Sequence, residues 1–283
     1  MITLPRKHIA VALFSAWTAL SASWANADDL LAQIQSSKRI TIATEARYAP
    51  FEFVEGGKMV GYDIDLMNYV LADLPGVKLK HLDLPWQGVL PGLDRKKFDF
   101  VVSAATVNKA RAEQFAFTIP IADATVKLLK REGDDSIKSL DDLNGKIVGS
   151  QTGSGQILAL QAFDKQLKAE GKPGLKELRQ YIAYDEAYAD LAAGRLDGVA
   201  QALPNIGPLL KARPGLFATL PDPLGPKTYF AWVGRKDADS ASLVKFFNDR
   251  LVRANQDGTM QKLQQKWFGF TMDLPTESPE PEI

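Results

Sequence analysis

From Lys38 onward, stretches with the two-residue period of a strand alternate with stretches of helical spacing, and this alternation restricts the fold more than any other feature. "KRITIATEARYAPFEF" opens on Ile40 and Ile42, an apolar/polar alternation that predicts a strand. In "GYDIDLMNYVLADLPG" the apolar residues Ile64, Met67, Val70, Leu71 and Leu74 recur at helical spacing, with Asp63 read as the N-cap and Pro75-Gly76 as the stop. "VKLKHLDL" predicts a second strand, "QGVLPGLDRKK" a short helix despite Pro91, and "FDFVVSA" a third strand. Strands and helices in this order predict an α/β domain with a mostly parallel sheet.

The pattern then returns. "LNGKIVGSQTGSGQ" predicts a strand and a glycine-rich turn that leads into a helix around Ile157 to Phe163. "YADLAAGRLDGVAQA" echoes "LPGLDRKKFDFVVSA", with Leu196-Asp197 in the place of Phe98-Asp99 and Ala202 in the place of Ala104. Two α/β lobes follow, unless the echo reflects only the common form of helix-turn-strand units. Ligands of open α/β sheets sit beyond the carboxyl ends of the strands. A strand (Thr228 to Val233) and a helix with Leu243, Phe246, Phe247, Leu251 and Val252 on one face close the folded part. "TMDLPTESPEPEI", rich in proline and acid, predicts a disordered tail over 271–283.

Composition excludes several kinds of chemistry. Arg6 and Lys7, the apolar run Ile9 to Leu20 and the small-residue site Ala25-Asn26-Ala27 form the three regions of a signal peptide over 1–27. The mature chain is thus expected to be exported to the periplasm and soluble. Its 32 basic residues against 34 acidic give a formal charge of −2, which offers nothing to nucleic acid or an anionic membrane. Cysteine is absent, so disulfides, thiol catalysis and thiolate metal sites are excluded, and His81 is the one histidine after cleavage. One histidine argues against a Ser-His-Asp hydrolase, which would depend on His81 alone as its base, and against a His-rich metal centre. No cofactor or metal is expected.

"FDFVVSAATVNKAR" changes character at its middle: a buried strand gives way to Ala104, Ala105 and Thr106, a polar turn and Arg111. Read alone, Arg111 is either a solvated arginine opening the next helix or a guanidinium held beyond a strand end for an anion. "TGSGQ" raises the same choice. Ser154, Gly155 and Gln156 stand where a helix begins, which is both an ordinary capped turn and an anion site made of backbone N–H groups. The turn lacks the lysine of a phosphate loop and the third glycine of a dinucleotide fingerprint. Asp63 and Asp65 are two apart and do not share a helix face, so they read as cap and surface residue rather than a catalytic pair.

The motifs "YAPFEF", "GKMVGYDIDL", "PWQGVLPGL", "FDFVVSAATVNKAR", "LNGKIVGSQTGSGQ", "AAGRLDGVAQALPNI", "VGRKD" and "DGTMQKLQQKWFG" occur in one order between Ile40 and Gly269. Together they make the chain resemble the periplasmic polar-amino-acid solute-binding proteins of ABC importers, bacterial extracellular solute-binding protein family 3, with the type II periplasmic binding fold. The resemblance implies two Rossmann-like lobes, 28–124 plus 227–270 and 125–226, joined by a two-stranded hinge with the ligand cleft between them. It also implies a monomer that binds an amino acid or related carboxylate and delivers it to an inner-membrane permease.

By the same resemblance, Arg111 clamps the ligand's carboxylate, a role that suits the planar fork of guanidinium. The Ala104 carbonyl accepts a ligand N–H, Thr106 supplies a hydroxyl and an N–H, and Ser154, Gly155 and Gln156 hold the carboxylate from the opposite lobe. Tyr48 and Trp86 match the aromatics that sandwich the ligand side chain; without the resemblance, core packing explains both. Glu45 matches the acid that faces the distal cation of basic amino acids, its alternative being a solvated loop acid. Ala202 stands where the family usually has the aspartate that binds the ligand's α-ammonium. A buried ammonium without a counter-charge costs on the order of 2–5 kcal/mol. Either Glu45 reaches the amine, or the ligand has no free α-ammonium, as in an N-substituted amino acid, a betaine-like compound or a simple organic acid. Two other functions use similar folds: dehydration of prephenate-like substrates and sensory ligand binding. The first needs an acid in the second-lobe loop, where Gln201 to Ile206 carries none.

Overall fold

The computed structural model describes residues 29–278 and 280–281, so the expected signal peptide, 1–27, lies outside the described residues. The chain starts with α1 (Leu30–Ser37), β1 (Arg39–Thr44), β2 (Arg47–Tyr48), β3 (Glu52–Glu55), β4 (Lys58–Val60) and α2 (Tyr62–Leu71). It continues through β5 (Lys78–Asp83), α3 (Trp86–Asp94), β6 (Phe100–Thr106), α4 (Lys109–Gln114), β7 (Phe115–Phe117) and β8 (Ala122–Asp123). A second set follows: β9 (Val126–Arg131), β10 (Ile147–Gln151), α5 (Gly155–Ala169), β11 (Glu177–Tyr181), α6 (Tyr184–Ala192), β12 (Gly198–Ala202), α7 (Leu203–Ala212) and β13 (Phe217–Pro223). The chain then returns through β14 (Tyr229–Arg235), α8 (Ala241–Gln256) and α9 (Thr259–Trp267).

Two sheets result, one per lobe. The first has the order β5-β1-β6-β14-β7 and the second β11-β10-β12-β9-β13, while β2, β3 and β4 form a small separate sheet. Three neighbouring strands of each large sheet pair in parallel, β5, β1 and β6 in one and β11, β10 and β12 in the other. Their neighbours β14 and β9 run antiparallel. Each sheet is therefore mostly parallel in direction, with one strand, β14 or β9, running against the rest where the chain has just passed between the lobes.

The two aspartates of the sequence echo do the same work in each sheet. Asp99 accepts from Thr41 N through Oδ2 (2.7 Å) while its own N–H donates to the Thr41 carbonyl (2.8 Å). Asp197 accepts from Ile147 N (2.8 Å) and donates to the Ile147 carbonyl (2.8 Å). Each carboxylate thereby ties the start of one parallel strand to its neighbour, which accounts for an acid in an otherwise apolar run.

The chain crosses between the sheets at 124–125 and again at 224–228. The crossings lie side by side: Ala124 N donates to Thr228 O (2.8 Å), Thr228 Oγ1 to Ala124 O (3.1 Å) and Leu224 N to Val126 O (2.8 Å). These two hydrogen-bonded crossing segments, between β8 and β9 and between β13 and β14, form the hinge.

Apolar burial sets the helix faces. Leu243, Phe246, Phe247 and Leu251 of α8 are buried against the first sheet, and Phe247 stacks on Phe100 with ring centres 4.0 Å apart. Val148, Leu128 and Ala200 pack on Leu160 of α5 in the second lobe. Among the described residues no helix is long and apolar enough to cross a membrane.

Two expectations change. The helix α2 is capped by Gly61, not by Asp63. At φ 133° a side chain is strained, and a Cβ on residue 61 would lie 2.2 Å from the Phe51 carbonyl oxygen. That close approach lets Asp63 N donate to Phe51 O (2.9 Å) and draws the Asp63 carboxyl into the interior, where a solvated cap cannot form. Asp65 stays near the surface, bonded to Lys266 Nζ (2.6 Å) and Trp267 Nε1 (2.8 Å) of α9. Among the described residues the segment beyond 270 has neither helix nor strand, yet through Ser278 it lies along the first lobe instead of hanging free. Leu274 is buried, Met272 N donates to Gln264 Oε1 (2.8 Å) and Ser278 Oγ to Thr118 O (3.0 Å). Proline denies this segment regular structure but leaves its apolar side chains able to pack.

Candidate functional site

The parallel strands of both sheets aim their carboxyl ends at the gap between the lobes. From the first lobe, β1 runs into Glu45, β2 carries Tyr48, α3 begins at Trp86, and β6 ends in Ser103, Ala104 and Thr106. Asn108 then caps α4, accepting from Arg111 N (2.9 Å), and this turn brings Arg111 back over the strand end. From the second lobe, β10 ends at Gln151, and Ser154 caps α5 by accepting from Ile157 N (3.1 Å). Gly155 and Gln156 form the first turn of α5.

These residues enclose one small cavity of about 10 Å³, room for a single water molecule. Nine of the ten expected residues line it: Glu45, Tyr48, Trp86, Ala104, Thr106, Arg111, Ser154, Gly155 and Gln156. Ser103 and Gln151 line it as well and were not singled out in the sequence, although each sits at the end of a strand that was. Ala202 does not line it. That residue is fully buried among apolar neighbours, and its N–H donates to Gln201 Oε1 (2.7 Å). A wider groove of about 740 Å³ opens on the other side of Tyr48, between the lobes; it has the volume for a ligand but not the convergent anion-binding groups of the small cavity.

Arg111 is held by carbonyls and an indole, not by an acid. Nη1 donates to Thr106 O (2.8 Å), Nη2 to Gly153 O of the opposite lobe (2.7 Å), and the guanidinium lies 5.1 Å from the Trp86 ring centre. Burial lowers its pKa to about 10, so it remains a cation at neutral pH. With the positive end of α5 across the cavity, the site has two groups that favour an anion, one per lobe.

Glu45 is not a solvated loop acid. It is buried, accepts from Gln151 Nε2 (2.6 Å) across the cleft and from the Trp86 N–H at the start of α3. Burial pushes its carboxyl up to about 8 against the pull of those bonds. Tyr48 donates to Gln201 Oε1 (3.1 Å) and accepts from Gln156 Nε2 (2.9 Å), while its ring packs between Phe51 (5.7 Å) and Tyr184 (5.5 Å). Trp86 Nε1 donates to Gly153 O (2.9 Å), and Gln87 Nε2 to Thr152 O (3.1 Å) and Ile182 O (3.2 Å).

The lobes therefore meet through direct hydrogen bonds, and one glycine sets how closely. A Cβ on Gly155 would lie 2.3 Å from Thr106 Oγ1 and 2.6 Å from Thr106 Cβ. Among the described residues no three or more His, Cys, Asp or Glu side chains converge as a metal site.

Comparison with known proteins agrees with this architecture. A family model described as bacterial extracellular solute-binding proteins, family 3, matches residues 40–270. The lysine/arginine/ornithine-binding periplasmic protein of Escherichia coli (strain K12) is 31% identical over 240 residues, 82% of this chain and 88% of that protein. The L-cystine-binding protein TcyJ of the same organism is 26% identical over 244 residues, 86% of this chain and 87% of that protein. Among solved structures, an ancestral amino acid-binding protein described as a precursor of cyclohexadienyl dehydratase superposes with a TM-score of 0.73 at 28% identity. The match covers 84% of this chain and 98% of that one.

Proposed function

The chain belongs to the bacterial extracellular solute-binding proteins of family 3, and from that premise we propose that its interlobe cavity captures an amino acid or a closely related carboxylate for an ABC importer. The observation that carries the reading is convergence: Arg111 and the start of α5 approach one cavity from opposite lobes, with Glu45 as the one acid lining it. A ligand carboxylate fits the first two groups by bidentate and helix-terminal contacts. A cationic or N–H donor group fits the Glu45 carboxyl.

Ala202 lies outside the cavity, so Glu45 is the single counter-charge available to an ammonium. This favours ligands with one carboxylate and one cationic or donor group over ligands with two ammonium groups to bury. The relatives compared above are named for binding lysine, arginine, ornithine and cystine, which sets the chemical range of a first panel. The protein acts in the periplasm after loss of residues 1–27, as a monomer that hands its ligand to an inner-membrane permease.

Binding without turnover is the favoured reading. Gln201 to Ile206 offers no acid, and Glu45 is held by hydrogen bonds from Gln151 and Trp86. Thermal shift on the mature protein tests the reading against basic, neutral, N-methylated and deaminated amino acids. A true ligand raises the melting temperature in proportion to RT ln(1 + [L]/Kd). A flat panel would overturn amino-acid capture, and consumption of a stabilising ligand on incubation would overturn binding without turnover.

A further inference from the structure

Behind the cavity lie two carboxyl groups that ligand capture does not use. Glu52 on β3 and Asp63 in the first turn of α2 are both fully buried and face each other. Of their four oxygens, Glu52 Oε1 accepts from Ser103 Oγ, while Glu52 Oε2 and both Asp63 oxygens are buried without a donor in bonding geometry. Trp232 Nε1 of β14, itself without an acceptor, faces Asp63. Tyr62 of α2, itself bonded to Gln264 of α9, Tyr48 of β2 and Glu45 are the other titratable groups nearby, and among the described residues neither carboxyl has an ion-pair partner.

We propose that Glu52 and Asp63 share a single proton, and that this proton holds the Tyr48 hairpin and the end of β6, two walls of the candidate cavity, in place. The second half rests on the reading of that cavity as the ligand site. Two carboxylates buried side by side without a cation cannot both be ionised. One proton between them cancels the second charge and joins the two carboxyls by a hydrogen bond, while Trp232 Nε1 faces Asp63 from β14.

The joint reaches the site by two short paths. Tyr48 is the register partner of Glu52 across β2 and β3. Ser103, which donates to Glu52, lines the cavity beside Ala104. Asp63 ties both to α2, since its N–H donates to Phe51 O (2.9 Å), and Tyr62 N donates to Pro50 O (3.0 Å) just ahead of it. Loss of the proton leaves two like charges in a dry interior, and relief comes from letting water in, by lifting the hairpin away from α2 and β6.

Burial, with mutual repulsion added at Glu52, raises both carboxyls above their ordinary range. The folded joint therefore holds a proton that the opened chain gives up. Its stability is complete below the ordinary carboxylate range and declines as pH climbs through the folded value.

Hydrogen–deuterium exchange on the ligand-free mature protein tests this between about pH 6 and about pH 9, after correction for intrinsic exchange. In the parent, protection of residues 47–60 and 100–106 should fall by up to roughly tenfold per pH unit, with the second sheet as the unchanging reference. Glu52→Gln replaces the titrating proton with an amide that donates to Asp63, and it should keep both segments protected across the range. Asp63→Asn is the reciprocal variant and answers the question if the first fails to fold. A flat parent profile, or a variant that loses protection as the parent does, overturns the proposal. No ligand enters the measurement, so a failure of amino-acid capture would be seen separately.

Discussion

Arg111 keeps a full charge among carbonyl oxygens and an indole face, and among the described residues it forms no ion pair. Such a cation gains most from an incoming carboxylate, because nothing else in the cavity neutralises it. Arg111→Ala should lower affinity for a ligand confirmed by thermal shift by at least ~100-fold, about 3 kcal/mol, with the melting temperature of the free protein nearly kept. Calorimetry checks this, and near-parent affinity would remove the carboxylate clamp. Glu45 gives a pH signature at the other end of the site. Its carboxyl is raised to about 8, so at neutral pH it holds a proton that a cationic ligand must displace. Affinity for such a ligand should rise with pH by up to about tenfold per unit and level off above about 8, whereas Glu45→Gln should be weaker and flat. Titrations in buffers of different ionisation heat read the released proton directly. The residue types at these positions were legible in the sequence, but their depth was not. Glu45 read equally well as a loop acid, and Ala202 aligned with a binding position while lying wholly inside the apolar core. Motif order gives chain position; exposure follows from which elements pack over it.

At the scale of elements, the strand–helix alternation and the Asp99/Asp197 echo were legible because both arise from local periodicity and short spacing. The cap of α2 was not. "GYDID" offers an acid where caps normally stand, but the contact of Gly61 with Phe51, ten residues earlier, decides that Asp63 turns inward. Strand β9 was not anticipated, and the strand read over 228–233, here β14, gave no sign of its antiparallel direction, since their partners β12 and β6 lie far away along the chain. The start of α5 was legible as a capped turn, yet its closeness to the other lobe appears only in the fold. From that closeness comes a prediction with two opposed signs. Alanine is favoured over glycine inside a helix by up to about 1 kcal/mol, so Gly155→Ala should leave the fold as stable as the parent or more so. The same methyl meets Thr106 at 2.3 Å and must hold the lobes apart. Ligand affinity should drop at least roughly tenfold while the melting temperature holds or rises, since about 1.4 kcal/mol of lost closure suffices. Parallel melting and titration experiments check it, and a loss of both together would mean a damaged helix rather than a blocked closure.

For the whole molecule, the decisive quantity is how far the lobes separate. The cavity of about 10 Å³ admits one water, so an amino acid enters only after the lobes part, and the two hydrogen-bonded crossings at 124–125 and 224–228 are where the chain can bend. Parting breaks the bonds that span the cleft, among them Gln87 to Thr152 and Ile182, Gln151 to Glu45, and Arg111 to Gly153. A ligand that touches both lobes replaces these bonds and draws the equilibrium back to the closed form by its differential affinity. The chain has no cysteine, which permits a clean test. Gln87 and Ile182 approach each other across the cleft at its outer edge, and Ile182 is 57% exposed, so neither substitution needs to disturb the cavity. Gln87→Cys with Ile182→Cys, joined by a short reducible thiosulfonate linker, should hold the lobes together and slow ligand association by at least roughly 100-fold. Reduction should restore the parent rate. The same linker added after ligand has bound should slow dissociation instead, trapping the ligand through gel filtration until reductant is added. Association at the parent rate in the linked protein would mean that ligand reaches the cavity without parting the lobes, and would place its path through the groove beside Tyr48.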